Sequence, residues 1–241
     1  MKFLILNILN IFDFFYKKAI KKEIIKIFGH KIGVFFDVGA HRGETIKFIN
    51  SFITVKKIYA FEPLKQNFQK LLKNTRYLSL KNEIKLFFFE IALGEFKEKK
   101  KMKEMDESSS STLNEINKNS KYFKRKKAVL GLGVDKEFYC EKEVNIIKAS
   151  SVIKKHKIKS IDLLKIDTEG YEFSVIKGFE KSLSKVKVIL FEHHYNLMIK
   201  KKYTFSDIHN YLRRNNFILK KKFKMPLRKT FEYIYCNKDY F

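Results

Sequence analysis

The stretch FFDVGAHRGETIKFI, residues 35–49, carries an acid and two glycines between an apolar run and a helix-like pattern. Gly39 and Gly43 permit a tight turn and close backbone approach, and the free N–H groups of the helix that follows suit an acidic or polar ligand. Glu62 lies 25 positions after Asp37, at the end of the next apolar segment. A carboxylate there accepts hydrogen bonds from both hydroxyls of a ribose. Turn and acid together imply an adenosine-containing cofactor. The spacing Asp-x-Gly-x-x-x-Gly is not the Gly-x-Gly-x-x-Gly of nicotinamide binding, and no Walker lysine follows. Asp37 would repel a pyrophosphate and attract the amine or sulfonium of S-adenosylmethionine. Loop capping by Asp37 and simple turning by the glycines explain each feature alone, but less well the set.

A second constellation, KIDTEGYE over 165–172, gathers Asp167, Glu169 and Glu172 where an apolar segment gives way to a helical one. Asp167 and Glu169 are candidates to orient a substrate hydroxyl and accept its proton. Glu172, at a helix start, is read as a dipole partner, and Lys165 as a structural ion-pair partner. His193 and His194 follow Glu192 at another strand end, so one faces the cleft and the other points away. Either is a candidate base. With Asp167 and Glu169 they are also conceivable metal ligands, but no metal is expected. His41, beside Arg42, is a candidate contact to the cofactor, with solvent as the alternative. His30, His156 and His209 stand in no constellation.

Positioning these groups requires strands that alternate with helices. Strands are predicted at 33–39, 56–63, 83–93, 160–167 and 185–192, with helical periods at 44–52, behind Pro63, at 171–183 and at 204–214. Thr204-x-x-Asp207 resembles a capping box, and two further strands close the chain around a turn at Pro226. This order predicts an α/β doubly wound sheet that binds its ligand beyond the carboxyl ends of the strands. Residues 94–135, with lysine runs, SSSS at 108–111 and GLG at 131–133, show no clear period. They are read as a polar insertion, partly ordered at best, that acts as a mobile lid. Its shortening over 104–120 is expected to spare cofactor binding.

The chain has 241 residues, 45% of them hydrophobic, which suits one α/β domain. The expected organisation is an amphipathic helical segment over 1–30, then a single domain over 31–241. Lys and Arg number 52 against 26 acids, a formal charge of +26. The lysines are dispersed and accompany abundant Ile, Phe and Asn, as an AT-rich coding sequence produces, so no nucleic-acid partner is expected from charge. Cys140 and Cys236 have no metal-ligand spacing, which fits a cytoplasmic protein. The N-terminal stretch is too short and too polar along one stripe (Asn7, Asn10, Asp13) for a membrane span. Packing against the domain is one reading. The other is peripheral contact of residues 1–22 with the inner membrane surface, through Lys17, Lys18, Lys21 and Lys22.

FFDVGAHRGETIKFI, AFEPLKQNFQKLLKN, EIALGE and IDLLKIDTEGYEFSVIKGF followed by VILFEHH resemble the successive motifs of the FkbM-type methyltransferases. The likeness runs from about 33 to 195 and is most specific at KIDTEGYE. It implies a Rossmann-like class I methyltransferase fold: a mostly parallel seven-stranded sheet, helices on both faces and a C-terminal antiparallel hairpin. It also implies S-adenosylmethionine as cofactor and a hydroxyl oxygen as methyl acceptor, on a small molecule or a sugar or glycan. By this resemblance Asp37, Gly39 and Gly43 hold the methionine portion, Glu62 the ribose, and Glu90, Ile91 and Ala92 flank the adenine.

Overall fold

The computed structural model describes residues 16–82, 84–106, 108–129, 139–226 and 228–241. The predicted polar stripe at Asn7, Asn10 and Asp13 and the GLG at 131–133 lie outside these residues. A helix, α1, covers described residues 16–28. Then follow β1 (Lys31–Val38), α2 (Glu44–Asn50), β2 (Thr54–Phe61), α3 (Lys65–Asn82), β3 (Lys85–Phe89), β4 (Ala92–Leu93), β5 (Glu98–Met105), β6 (Glu115–Ile116) and α4 (Lys121–Val129). The chain continues through β7 (Tyr139–Ile147), α5 (Ala149–Lys155), β8 (Ile161–Ile166), α6 (Glu172–Lys177), β9 (Val186–His194), β10 (Ile199–Lys200), α7 (Phe205–Arg214), β11 (Phe217–Lys224) and β12 (Thr230–Asn237).

Seven strands form the main sheet in the order β11-β12-β9-β8-β1-β2-β3. All pair in parallel except β12, antiparallel to both neighbours. This is the class I methyltransferase architecture. The central strands read as unbroken apolar runs because both faces are covered; all six residues of β8 are buried. Ile20, Ile46, Ile49, Leu71 and Leu78, from α1 to α3, pack on one face. Val152, Ile153, Val175, Ile176, Ile208 and Leu212, from α5 to α7, pack on the other. The Thr204 capping box forms as predicted: the Asp207 N–H donates to Thr204 Oγ1, and the Thr204 N–H to Asp207 Oδ2 at 2.7 Å. Among the described residues, no helix is long and apolar enough to cross a membrane.

Two expectations are corrected. The strand predicted over 83–93 divides between β3 in the main sheet and β4 in a second sheet, with residues 90 and 91 as a bend. The insertion also contains regular structure. β5 pairs with β7 in antiparallel register from Glu98↔Ile146 to Met105↔Tyr139, and β4 completes a three-stranded sheet. Lysines along β5 hid its strand character, because their stabilising partners are distant in sequence: Lys99 meets Glu143, and Lys101 meets Glu141, both at 3.0 Å.

The two central turns meet at Gly39. Its φ is +80°, and a Cβ there would stand 1.9 Å from the Asp167 carbonyl oxygen. Gly39→Ala is therefore expected to destabilise the fold by about 3 kcal/mol or more, measured by denaturant unfolding.

Candidate functional site

At the carboxyl ends of β1, β2 and β8 lies a cleft of about 550 Å³, its open mouth included. Gly39 and His41 come from the first turn, Glu62, Pro63 and Leu64 from the end of β2, and Asp167, Thr168 and Glu169 from the end of β8. Glu62 is nearly buried. One of its oxygens accepts the His41 N–H at 2.9 Å and the other the Leu64 N–H at 3.0 Å. Each oxygen keeps a further lone pair for a ligand hydroxyl. Burial pushes this carboxyl up to about 7, against the opposing effect of those two N–H groups.

Asp37, near the end of β1, is fully buried with neither carboxylate oxygen hydrogen-bonded, and it is not among the residues that line the cleft. Burial pushes it up to about 8; Lys165 opposes this, while Asp167, Glu44 and Glu62 add to it. An unpartnered buried acid is costly, and a cationic ligand group above it relieves that cost. Orphan acid, ribose-type carboxylate and the apolar wall of Ala92, Leu93, Met102 and Leu113 fit S-adenosylmethionine. Its cationic methionine end suits Asp37, its ribose suits Glu62, and its adenine suits the apolar wall.

The other predicted cofactor residues are dispersed. Gly43 begins α2 with φ +88°, and a Cβ there would press on Thr75 and Leu71 instead of the cleft. Ala92 lines the cleft, whereas Glu90 is exposed and Ile91 packs against the core. The bend that separates β3 from β4 turns these two away. His41 Nε2 meets Ser108 Oγ at 2.7 Å, and Arg42 donates to the same hydroxyl at 3.1 Å. Ser108, Ser109, Ser111, Met102 and Leu113, all from the insertion, thus wall this cleft. Sequence reasoning missed them; the serine run was visible, its destination was not.

Around the end of β8, charges are concentrated. Lys165 is buried, 2.8 Å from Glu232 and 3.7 Å from Asp167. Burial works against its charge, but Glu232, Asp167 and Glu192 outweigh it and hold the ammonium above its usual value. The Asp167 side chain remains 34% exposed at the cleft rim. Glu169, at φ +50°, brings its carboxylate to 3.1 Å from His194 Nε2, and Glu192 lies 3.0 Å from the same nitrogen. Both are ion pairs by distance. Burial alone would lower the His194 ring, but Glu169 and Glu192 raise it to about 10. His194 is thus an imidazolium at neutral pH and has no site for a substrate proton.

His193 projects to the opposite side, against Tyr195, Tyr203 and Phe205. Burial, then Lys201 and His194, push its ring down to about 3, which leaves a neutral but weakly basic imidazole. Glu172 is fully buried and organises the turn. It accepts the Gly170 N–H at 2.8 Å, Thr168 donors at 3.2 and 3.3 Å, and the Tyr203 hydroxyl at 2.5 Å. Among the described residues, no three His, Cys, Asp or Glu side chains converge as a metal site.

The profile of the methyltransferase FkbM domain matches residues 37–219. No curated protein sequence matches significantly. Solved structures similar in shape include M. capricolum TrmK in complex with S-adenosyl-homocysteine, at 10% identity and TM-score 0.49, covering 90% of this chain and 67% of that one. A SAM dependent methyltransferase from Aquifex aeolicus shares 11% identity, with TM-score 0.45 and coverage of 90% and 89%. Precorrin-6y C5,15-methyltransferase from Geobacter metallireducens shares 10%, with TM-score 0.46 and coverage of 91% and 86%. Likeness at this level says nothing about the acceptor.

Asp37 generates a paired prediction. Between about pH 4, near the unfolded carboxyl, and about pH 8, the folded state holds a proton that the unfolded state lacks, so Asp37 lowers stability as pH rises through this window. Asp37→Asn is expected to melt above the parent at about pH 8.5, with the difference shrinking toward acid, and to bind S-adenosylmethionine about tenfold or more weakly by calorimetry. The insertion generates another. Replacing 104–120 by a short linker is expected to weaken cofactor binding as well as turnover, contrary to the lid expectation, because it removes Ser108, Ser111 and Leu113 from the cleft wall. Unchanged calorimetric affinity would contradict it.

Proposed function

The chain belongs to the methyltransferase FkbM domain family, and from that premise we propose that it methylates a hydroxyl oxygen on a sugar or glycan-type acceptor. Methyl transfer from S-adenosylmethionine follows from the family; the oxygen nucleophile and the sugar are our reading. The proposal includes a single catalytic domain over 31–241, preceded by the N-terminal helical segment. Asp167 carries it: a half-open carboxylate at the end of the central strand, on the rim of the cofactor cleft. A hydroxyl needs such a partner, since its proton must leave as the oxygen attacks.

Bound in the cleft, S-adenosylmethionine supplies an electrophilic methyl carbon on a sulfonium. Glu62 would hold the ribose end, and Asp37, protonated in the free protein up to about pH 8, would ionise in favour of the cationic end. Asp167 would accept the acceptor hydroxyl's proton as its oxygen takes up the methyl group that S-adenosylmethionine would supply, with S-adenosylhomocysteine as the leaving group. Glu169, paired to the imidazolium of His194, holds the rim in place beside it. His193 and His194 are thereby relieved of the base role that their position suggested. Alignment contributes the remainder of the acceleration.

The reading is tested with methyl-labelled S-adenosylmethionine and fractionated cell extract. Label is expected in the sugar-containing fraction; exclusive labelling of RNA, which the charge of +26 makes the natural competitor, would sink it. On the acceptor so found, Asp167→Asn is expected to slow single-turnover transfer by ~10²–10⁴-fold, with a melting temperature near the parent's. Glu172→Gln is expected to lower stability, by about 1–3 kcal/mol, more than rate, because it disturbs the donors of the 168–170 turn.

A further inference from the structure

A second cleft opens where β9 ends and α7 begins, enclosing about 920 Å³ open to solvent. It is lined by His193, Tyr195, Asn196, Lys200, Lys201 and Phe205, among others. Only the turn after β8 separates it from the cofactor cleft. Glu169 and Tyr171 face the cofactor side, while a Cβ on Gly170 would meet Ile199 at 2.8 Å and Lys201 at 3.3 Å on the other. An acceptor whose reacting hydroxyl lies at Asp167 would reach this second space across that turn.

We propose that the cleft between His193 and Phe205 is the acceptor-recognition subsite and takes a neutral or weakly charged sugar ring. Three observations carry it. Tyr195 is 42% exposed on the cleft wall, held edge-on by His193 at 4.8 Å and Phe231 at 5.4 Å between centroids. A braced, half-exposed aromatic face is a platform for the C–H face of a pyranose. Next, His193 is 2% exposed, and its Nδ1 has no hydrogen-bond partner. Lys201 Nζ stands 3.4 Å from its Nε2. The ammonium can only donate there, so the proton of the neutral ring resides on Nδ1 as a buried donor that lacks an acceptor. That atom is shut off from solvent, so a ligand oxygen satisfies it once the ring turns toward the cleft. Last, Lys201 donates to the His194 carbonyl oxygen and lies near Glu172 and Glu169, which offset its charge. A polyphosphate backbone needs uncompensated cations, whereas a sugar does not.

This inference rests on the proposed function, and its test separates the two. Methyl glycosides and nucleotide sugars serve as acceptors, with bulk tRNA alongside, and label transferred from S-adenosylmethionine is measured for the full chain. Tyr195→Ala is expected to raise the KM for a sugar acceptor about tenfold or more, with kcat and cofactor affinity within about twofold. Tyr195→Phe, which keeps the aromatic face and loses the hydroxyl bonded to Tyr233, is expected to stay near the parent. If the Ala variant does not fold, Tyr195→Leu keeps apolar volume without the ring and is expected to show the same loss. Sugars methylated with equal KM by the parent and by the folded Ala or Leu variant would overturn the subsite and leave the function standing. Methylation of tRNA and of no sugar, or of neither, would overturn both.

Discussion

The carboxyl ends of β1 and β8 approach so closely that no side chain fits between them. The Asp167 N–H donates to the Val38 carbonyl, Gly39 lies against the Asp167 carbonyl, and both the Gly39 and Ala40 N–H groups donate to Phe61. The turn after β1 and the turn after β8 are therefore one rigid unit. A methyl group in transit needs its donor and its acceptor aligned to a fraction of an ångström. Backbone contact between the two turns achieves this without relying on any flexible side chain.

Charge explains what surrounds that unit. Asp37, Asp167, Glu169, Glu192 and Glu232 gather near the end of one strand, with the Lys165 ammonium and the His194 imidazolium among them. The two cations are spent on Glu232, Glu192 and Glu169. Asp37 has no hydrogen bond, and burial makes its ionisation costly in the free protein, a cost that a cationic ligand relieves. Stability is thus given up locally where binding needs it, a common arrangement at functional sites.

The insertion completes the site. Its β5 and β7 ribbon carries the Ser108 turn onto His41 and Arg42, so the segment least regular in sequence closes the cofactor cleft. On the far side of the β8 turn, Tyr195 and His193 line a second cleft.

The amino-acid sequence by itself determined the alternation of strands and helices, the doubly wound sheet, the Thr204 cap and, through its family motifs, the cofactor. Each of these depends on residues close together in the chain, where periodicity, glycine backbone freedom and capping act directly. Tertiary structure alone decided which neighbouring residues share a surface. It put Ala92 in the cleft and left Glu90 in solvent, because a bend sends β4 to another sheet. It sent His193 and His194 to opposite sides and gave them opposite protonation, because charge depends on which carboxylates or lysines arrive from elsewhere. It also turned a lysine run into β5, since the glutamates that make that strand favourable lie some forty residues away.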